Sequence, residues 1–366
     1  MQQDLKPLMA GRAMAWIKAL RLYGPPQIHY IHRAFLLVLS SGFSIIPRIE
    51  ESIRYAQKIR ETNIDIPPVF VIGSWRSGTT FLHTLLIQDT RFGYLANYQV
   101  GAPEWYICGE NWMKKLTDWA LPPQRPMDSM PLQAETPQED EFAVLNISEL
   151  SPYFSFFFPR SMKMLFDRFA VLKTISENDL SRWKNIYELI VKKAVFANGD
   201  KQLILKNPVN TGRIPQLLEL FPNAMFIFIY RNPYDVYPST IRTMKRLASG
   251  VQMQDVTERF LEDYVMYAYP RLIRKYLDDK IHIPQDRLIE IQYERLAEDP
   301  LGTLRDIYTK LNLSDFDSAL PQVSQYLDSV RSYQKNIFNL TDDQIYKINS
   351  ECEFIFREFG YQMRPP

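Results

Sequence analysis

One short segment combines two glycines, an arginine and several hydroxyls at a spacing that suits anion binding. Gly73 and Gly78 bound a loop that follows an apolar run and precedes a helical pattern. Backbone N–H groups converge at a helix N-terminus, and the helix dipole favours negative charge there. The glycine spacing is that of a P-loop, but Thr79 stands where the usual lysine would, and the cation, Arg76, lies inside the loop. The segment predicts a phosphate cradle that lacks the lysine for a nucleotide's terminal phosphates. A chance glycine-rich turn is the alternative.

A second segment suits the binding of another phosphate. Arg231 follows an apolar run, and Asn232 with Pro233 makes a good N-cap and first-turn pair for the next helix. Ser239 lies further along that predicted helix. An arginine at a strand end can hold a phosphate with its planar fork, whereas the alternative is an ion pair with Asp235.

Together, these segments resemble the motifs of sulfotransferases that use 3′-phosphoadenosine 5′-phosphosulfate (PAPS). The first is similar to the family's 5′-phosphosulfate loop, and the second is similar to its 3′-phosphate motif. The resemblance covers roughly residues 67–360, and the text at 125–128 and 332–336 is closer to the bacterial branch than to the cytosolic animal enzymes. The resemblance implies that PAPS is bound by Ser74, Arg76, Ser77, Gly78, Thr79, Thr80, Phe81, Arg231, Ser239 and Tyr293.

The resemblance also implies a role for each motif. The loop would bind the 5′-phosphate, Arg76 the phosphosulfate, and Arg231 with Ser239 the 3′-phosphate. Phe81 would stack on the adenine. Tyr293, at the end of a late apolar strand, would border the adenine as in the family, with ordinary core packing as the alternative. Lys335 could add to the 3′-phosphate site, but we expect it to be solvated.

Sulfuryl transfer moves SO3 in line to an acceptor hydroxyl or amine, and it needs positioned cations and a base. Arg76 and Lys206 are the predicted catalytic cations. Lys206 matches a family lysine beside the transferred group, and a solvated strand-end lysine is the alternative. Many cytosolic members have a histidine two residues after that lysine, but this chain has Pro208. The expected base is therefore missing.

A carboxylate is the predicted base. The segment from Thr136 to Glu139 fits a capping box, so Glu139 has a structural explanation. Glu141 borders the apolar face of the following helix, where burial would raise its pKa. Glu141 is the first choice, Glu139 and Asp140 are the alternatives, and an acidic first turn that complements the helix dipole is the structural explanation. We expect His83, on the helix after the loop, to be packed rather than catalytic.

The elements that must position these residues alternate between strands and helices. This pattern predicts an α/β protein with a P-loop-like three-layer fold, in which helices flank a mostly parallel central sheet. The predicted strands are Val69–Ile72, Leu203–Leu205, Met225–Tyr230 and Leu288–Gln292. The predicted helices include Thr79–Gln88, Pro137–Glu149, Asn178–Phe196, Arg213–Leu220 and Leu301–Leu311. Residues 90–135, rich in Trp, Tyr and Pro, are expected to be irregular and to form a lid or pocket wall.

We predict a helical N-terminal extension over residues 1–64 and a sulfotransferase domain over residues 65–366. The most apolar early stretch, 34–47, is shorter than the ~20 residues of a membrane-spanning helix. Basic and apolar residues interleave around it, which leaves two interpretations open: a packed helix, or an interfacial segment that contacts a membrane surface.

The composition of the chain excludes several classes of protein. With 43 basic and 42 acidic residues, the net charge of +1 gives no sign of a nucleic-acid partner. The hydrophobic fraction of 46% excludes a disordered chain. Two cysteines give no disulfide framework, and the first residues lack a signal-peptide pattern, so we expect a cytoplasmic protein, peripheral at the membrane if the N-terminal segment is interfacial. No metal site is indicated, and none is needed for sulfuryl transfer.

The predicted function is therefore transfer of a sulfuryl group from PAPS to an acceptor hydroxyl or amine. A P-loop kinase or NTPase is the alternative, although the Gly-Lys-Ser/Thr ending is absent. A nucleotide-binding protein that has lost catalysis is a third possibility, because the expected histidine is missing. Aromatic residues at 94–119 and 153–159 favour a lipid-like or other hydrophobic alcohol, or a glycan, as acceptor, and core packing is the alternative.

Overall fold

The computed structural model describes residues 12–122, 132–199, 201–313, 315–330 and 338–365. Two segments that carry part of the family resemblance, 125–128 and 332–336 (with Lys335), lie outside these residues.

A parallel sheet of five strands confirms the predicted fold class. The strands are β1 Val69–Gly73, β2 Phe92–Gly93, β3 Gln202–Lys206, β4 Met225–Tyr230 and β5 Leu288–Gln292. Their order in the sheet is β2-β3-β1-β4-β5, and all of the neighbouring strands run parallel. The central strand, β1, pairs with β3 on one side and β4 on the other, so that Val71 is opposite both Lys206 and Ile227.

Helices cover the sheet, which explains why β1 and β4 consist almost entirely of apolar residues. Val69 and Val71 pack on one face with Leu82 and Leu85, and all four are fully buried. On the other face, the ring of Phe70 stacks on Phe226, with 5.6 Å between the centroids. A strand buried on both faces has no polar side, as is usual in parallel sheets.

The described residues contain helices before, between and after the strands. They are α1 Ala13–Leu22, α2 Ile31–Phe43, α3 Ile45–Glu61, α4 Thr79–Leu86, α5 Asn97–Gly101, α6 Glu110–Ala120, α7 Glu141–Ile147, α8 Met162–Leu165, α9 Glu177–Asn198, α10 Ile214–Leu220, α11 Pro233–Val251, α12 Glu258–Asp279, α13 Tyr293–Glu298, α14 Pro300–Lys310, α15 Leu320–Ser329 and α16 Asp342–Phe359.

Two compact units share the chain. The helical unit takes its residues from 1–65, 94–200 and 242–261, and the sheet unit from 66–93, 201–241 and 262–366. The described helices before residue 65 therefore cluster with later helices rather than by themselves. The predicted functional division into residues 1–64 and 65–366 stays a prediction.

Two local predictions were wrong. The helix expected from Pro137 begins at Glu141, and the capping box does not form, because the Glu139 N–H donates to the Gln138 side chain at 2.9 Å and the Thr136 N–H to the Gln133 oxygen at 3.1 Å. Residues 90–135 are not irregular throughout, since they contain α5 and α6. Met113, Thr117 and Ala120 form the buried side of α6. Their helical spacing was obscured by the surrounding aromatic residues.

Candidate active site

The carboxyl edge of the sheet carries most of the predicted site. β1 ends at Gly73, β3 at Lys206 and β4 next to Arg231, and Tyr293 follows β5 directly. The chain leaves β1 towards β2 and β3 on one side, whereas β4 and β5 lie on the other side. Ligands of open α/β sheets bind where the strand order reverses in this way.

The loop after β1 is built around two glycines that no other residue could replace without strain. Gly73 has a φ of +154°, and a Cβ placed on it would lie 2.3 Å from the backbone oxygen of Ile229. Gly78 has a φ of +102°, and its Cβ would lie 2.3 Å from the ring of Tyr293. Gly73 thus lies where two backbone segments approach closely, and Gly78 where the backbone approaches an aromatic ring.

Hydrogen bonds within the sheet unit fix the shape of this loop. The Ser77 hydroxyl donates to the backbone oxygen of Ser74 at 2.8 Å. Thr211 braces the start of the loop, because its hydroxyl accepts the N–H of Gly73 at 2.8 Å and donates to the Gly73 oxygen at 2.9 Å. Thr211 was not predicted, because it lies in a 3-10 turn after β3 and is 138 positions from Gly73 in the sequence.

The loop leads directly into α4, as predicted. Gly78 precedes the helix, Thr79 and Thr80 form its first turn, and that turn contains no acidic residue. The uncompensated helix dipole and first N–H groups make this end of α4 suitable for an anion. Phe81 is half-buried and packs against the hydrophobic cluster that contains Tyr293.

Arg76 connects the two predicted phosphate-binding segments. Its backbone has a φ of 68°, an uncommon conformation for a residue other than glycine. Its side-chain Nε donates a hydrogen bond to the Ser239 hydroxyl at 3.0 Å. The loop after β1 and helix α11 after β4 therefore meet through two residues that the sequence assigned to opposite ends of one nucleotide.

Arg231 is held in a defined position rather than left in solvent. Its guanidinium lies 3.1 Å from a carboxylate oxygen of Asp235, the pairing that the sequence left open. It also lies over the ring of Tyr293, 4.4 Å from the centroid. As predicted, the Asn232 side chain caps α11 by accepting the Tyr234 N–H at 3.0 Å.

Glu294 is a supporting residue that sequence reasoning did not single out. One of its carboxylate oxygens accepts the backbone N–H of Asn232 at 3.2 Å, and the other accepts the Tyr361 hydroxyl at 2.7 Å. Because Glu294 directly follows Tyr293, this contact connects the backbone next to Arg231 to the start of α13. Its position directly after that tyrosine was the only available signal.

Lys206 and His83 are buried close to the sheet, with 2% and 1% of their surfaces exposed. One nitrogen of His83 lies 3.0 Å from the Ile204 oxygen. Burial, reinforced by the charge of Lys206, lowers the pKa of His83 to about 3. His83 is therefore neutral at neutral pH and packed, in agreement with the sequence expectation.

The candidate bases lie in the helical unit, at the start of α7. The three consecutive carboxylates each accept a hydrogen bond from a hydroxyl. Glu139 is partly buried and accepts from Tyr153, whereas Asp140 is fully buried and accepts from Tyr187 at 2.6 Å. Glu141 is also fully buried and accepts from Ser151 at 2.7 Å.

No group of three or more His, Cys, Asp or Glu side chains suited to hold a metal ion occurs among the described residues.

Comparisons with known proteins show to which family the chain belongs. A sequence model of the family described as "Sulfotransferase family" matches residues 67–318. Two curated relatives, both named omega-hydroxy-beta-dihydromenaquinone-9 sulfotransferase Stf3, come from Mycobacterium bovis and Mycobacterium tuberculosis. Each is 34% identical over 363 residues, which are 98% of this chain and 92% of the relative.

Solved structures show the same fold. Sulfotransferase STF9 from Mycobacterium avium superposes with a TM-score of 0.67 at 17% identity, over 87% of this chain and 83% of the other. Sulfotransferase STF1 from Mycobacterium tuberculosis also gives 0.67, at 18% identity, over 93% and 90%. Because the family match covers more than half of the sequence and the curated relatives align along nearly all of it, this chain belongs to the sulfotransferase family.

Proposed function

We propose that this sulfotransferase takes its sulfuryl group from PAPS and passes it to the hydroxyl of a hydrophobic, lipid-like acceptor. The observation that carries the donor assignment is the hydrogen bond between Arg76 and Ser239. It joins a phosphate-type loop to the arginine-bearing end of β4. A nucleotide with phosphate groups at both its 5′ and 3′ positions needs two such anion sites on one sheet edge.

Each end of the nucleotide has its own residues in this proposal. The 5′-phosphosulfate is bound by the loop and the start of α4, through Ser74, Arg76, Ser77, Gly78, Thr79 and Thr80. Arg231 and Ser239 bind the 3′-phosphate. Phe81 and Tyr293 border the adenine. The cation–π contact between Arg231 and Tyr293 holds the 3′-phosphate site next to the adenine site.

The proposed reaction is an in-line displacement at sulfur. The acceptor oxygen forms a bond to sulfur while the bond from sulfur to the bridging phosphate oxygen breaks, and that oxygen keeps the electron pair. Adenosine 3′,5′-bisphosphate is the leaving group, and its developing charge is stabilised by Arg76 and Lys206. The acceptor proton moves to a carboxylate, for which we propose Glu141, with Glu139 and Asp140 as alternatives.

The burial of Glu141 supports it as the base, because a carboxylate in the interior is shielded from bulk water. Glu141 also has a hydroxyl partner, Ser151, that fixes its orientation. Lys206, at the end of β3, is almost fully buried, which excludes the solvated strand-end lysine as an explanation. A buried ammonium stabilises developing negative charge more strongly than one in water, because the local dielectric constant is lower.

A lipid-like alcohol as acceptor is supported by two independent features. The curated relatives are named for an omega-hydroxy menaquinone. In the helical unit, aromatic side chains are partly exposed, among them Trp112 at 47% and Trp119 at 68%. A glycan stacked on these rings is the second candidate.

The test is to incubate the full-length protein with PAPS that carries radioactive sulfur and with either total lipid or polysaccharide from a bacterial extract. The proposal expects label in the lipid fraction, and boiled protein gives the blank. Label confined to polysaccharide would contradict the lipid acceptor and retain the PAPS donor. Absence of label from every fraction, with adenosine 3′,5′-bisphosphate failing to bind, would contradict the donor assignment.

We also propose that the protein works in the cytoplasm at the periphery of a membrane, where a lipid acceptor would be available. The apolar N-terminal helices support this location.

A further inference from the structure

Exposed apolar side chains are concentrated in one short part of the helical unit. Of twenty large apolar side chains that the described residues expose, ten lie between positions 28 and 53. Single exposed apolar residues are normal on soluble proteins, but such a concentration marks an interaction surface. The ten are Ile28, Ile31, Phe35, Leu36, Leu39, Phe43, Ile45, Ile46, Ile49 and Ile53. We refer to them as the α2–α3 apolar surface.

Helix α2 is apolar on both its inner and outer sides. Ala34 and Leu37 are buried against the protein, whereas Phe35 is 64% and Phe43 is 80% exposed. The helix is also held by Arg33, whose guanidinium donates to the backbone oxygen of Gln252 at 2.8 Å. An ordinary surface helix turns a polar side to water. Packing within the protein therefore does not explain why the outward side of α2 is apolar.

The stretch Ile28–Glu61 is long and apolar enough to cross a membrane, by length and composition. Its geometry argues against spanning. The stretch is divided at Ser44 into α2 and α3, and the 13 residues of α2 extend only about 20 Å, compared with the ~30 Å of a bilayer's hydrocarbon core. Only 22% of the apolar window is buried in the protein, so the stretch is not an ordinary core helix and its apolar side chains are open to an interfacial contact.

Helix α3 is fixed to the rest of the helical unit by a buried charge. Glu51 forms an ion pair with Lys193 of α9, and both side chains are less than 10% exposed. Glu51 also accepts the N–H of Ile107 at 2.7 Å. If α3 moved away from the protein to cross a membrane, Glu51 and Lys193 would lose each other as partners, which would cost a large amount of free energy. The helix can instead lie on a bilayer while it remains packed.

The positive charge of this part of the chain favours a bilayer that contains anionic lipids. Residues 12–61 contain eight arginine and lysine residues and three glutamates, and one of these glutamates, Glu51, is paired with Lys193. Arg12 and Lys18 are partly exposed and paired with Glu104 and Glu149, whereas Arg21 is exposed and Arg33 donates to a backbone oxygen. Basic residues beside an apolar helix are attracted to anionic headgroups. The same charge would repel a second copy of this surface.

We propose that the α2–α3 apolar surface docks on an anionic phospholipid bilayer, with both helices lying in the plane of the interface. The isoleucine and phenylalanine side chains enter the boundary between headgroups and acyl chains, and the basic residues remain among the headgroups. This docking surface stands on the helical unit alone and is independent of the PAPS assignment.

The test uses the full-length protein with sedimented vesicles of phosphatidylcholine, alone or with about a third phosphatidylglycerol. The test variant replaces Ile46 and Ile53, which are 79% and 80% exposed, by serine. The matched control is Ile281→Ser with Met363→Ser, which replaces side chains that are 77% and 50% exposed in the sheet unit. Thermal unfolding and binding of adenosine 3′,5′-bisphosphate confirm that each variant is folded.

The proposal expects the wild-type protein and the control to sediment with anionic vesicles, and the test variant to partition at least about tenfold less. Binding should weaken as salt is added, because headgroup attraction is screened. Failure of the wild type to bind anionic vesicles, equal loss in the control, or equal binding to neutral vesicles would each overturn it. A dimer that Ile46→Ser and Ile53→Ser dissociate, without vesicle binding, would assign the surface to a second copy instead.

Discussion

Arg76 and Ser239 are joined by a hydrogen bond of 3.0 Å across 163 positions of sequence. The bond connects the loop after β1 to the helix after β4. The two ends of the proposed nucleotide site are therefore mechanically coupled before any ligand binds.

This coupling predicts the effect of Ser239→Ala. The variant loses a 3′-phosphate contact and also releases Arg76, so it should weaken adenosine 5′-monophosphate by about fivefold and adenosine 3′,5′-bisphosphate more, by about twentyfold. The matched variant, Arg231→Lys, keeps the charge but loses the planar fork. It should weaken only the bisphosphate, by about tenfold. Calorimetric titration of both ligands into both variants makes the comparison. A loss confined to the bisphosphate in Ser239→Ala would argue against the coupling.

Gly78 should be intolerant of a side chain for two reasons that can be separated. In Gly78→Ala the positive φ costs ~1–2 kcal/mol, and the Cβ would also meet the Tyr293 ring at 2.3 Å. Gly360→Ala should have only the cost of the positive φ, because Gly360 has a φ of +71° and no atom lies within 4 Å of the added Cβ.

We expect Gly360→Ala to lose about 1 kcal/mol in urea unfolding, with nucleotide binding intact. Gly78→Ala should lose about 3 kcal/mol or more and should bind adenosine 3′,5′-bisphosphate weakly. Equal losses in the two variants would show that the ring contact is unimportant.

Replacing Glu141 by glutamine tests the proposed base. The amide keeps the shape and can still accept the Ser151 hydroxyl, but it cannot take the acceptor proton. Turnover should fall by about 10²–10⁴-fold, while the affinity for adenosine 3′,5′-bisphosphate stays within a factor of about two. Glu139→Gln and Asp140→Asn are the matched variants. If one of them loses turnover and Glu141→Gln does not, that residue replaces Glu141 as the base.

His83 should make folding stability depend on pH. Its pKa in the folded protein is about 3, because burial disfavours the charged ring, whereas an unfolded histidine has a pKa of about 6.5. Between those values the unfolded chain binds more protons, so stability is greatest above about pH 6.5 and falls as the pH falls towards 3.

His83→Gln removes this titration and keeps a donor for the Ile204 oxygen. Between about pH 7 and pH 5, the wild type should lose on the order of 2 kcal/mol more unfolding free energy than the variant. The measurement is urea unfolding at both values. Parallel losses in the two proteins would mean that His83 is not the group responsible.

Strands were the part of the fold that the sequence predicted best. Met225–Tyr230 and Leu288–Gln292 have the predicted bounds, because the first is a continuous apolar run and the second alternates between apolar and polar residues, both of which are strand patterns. The start of α7 was missed, since the same residues offered a plausible capping box. In α6, the exposed tryptophans obscured the helical spacing of the buried residues.

The supporting contacts of the candidate site could not be read from the chain. Thr211 reaches Gly73, and Glu294 reaches Asn232, through folding that brings distant segments together. Neither residue belongs to a local pattern. The anion-binding segments themselves were predictable, because a strand, a glycine and a helix start are adjacent in sequence and impose their own geometry.

Calorimetry distinguishes a nucleotide with phosphates at both its 5′ and 3′ positions, the proposed ligand, from a nucleoside triphosphate. The full-length protein is titrated with adenosine 3′,5′-bisphosphate and, separately, with ATP and Mg²⁺. We expect the bisphosphate to bind at least about a hundredfold more tightly, because Arg231 and Ser239 have no phosphate to hold in ATP. Tight binding of ATP with Mg²⁺ and no binding of the bisphosphate would contradict it.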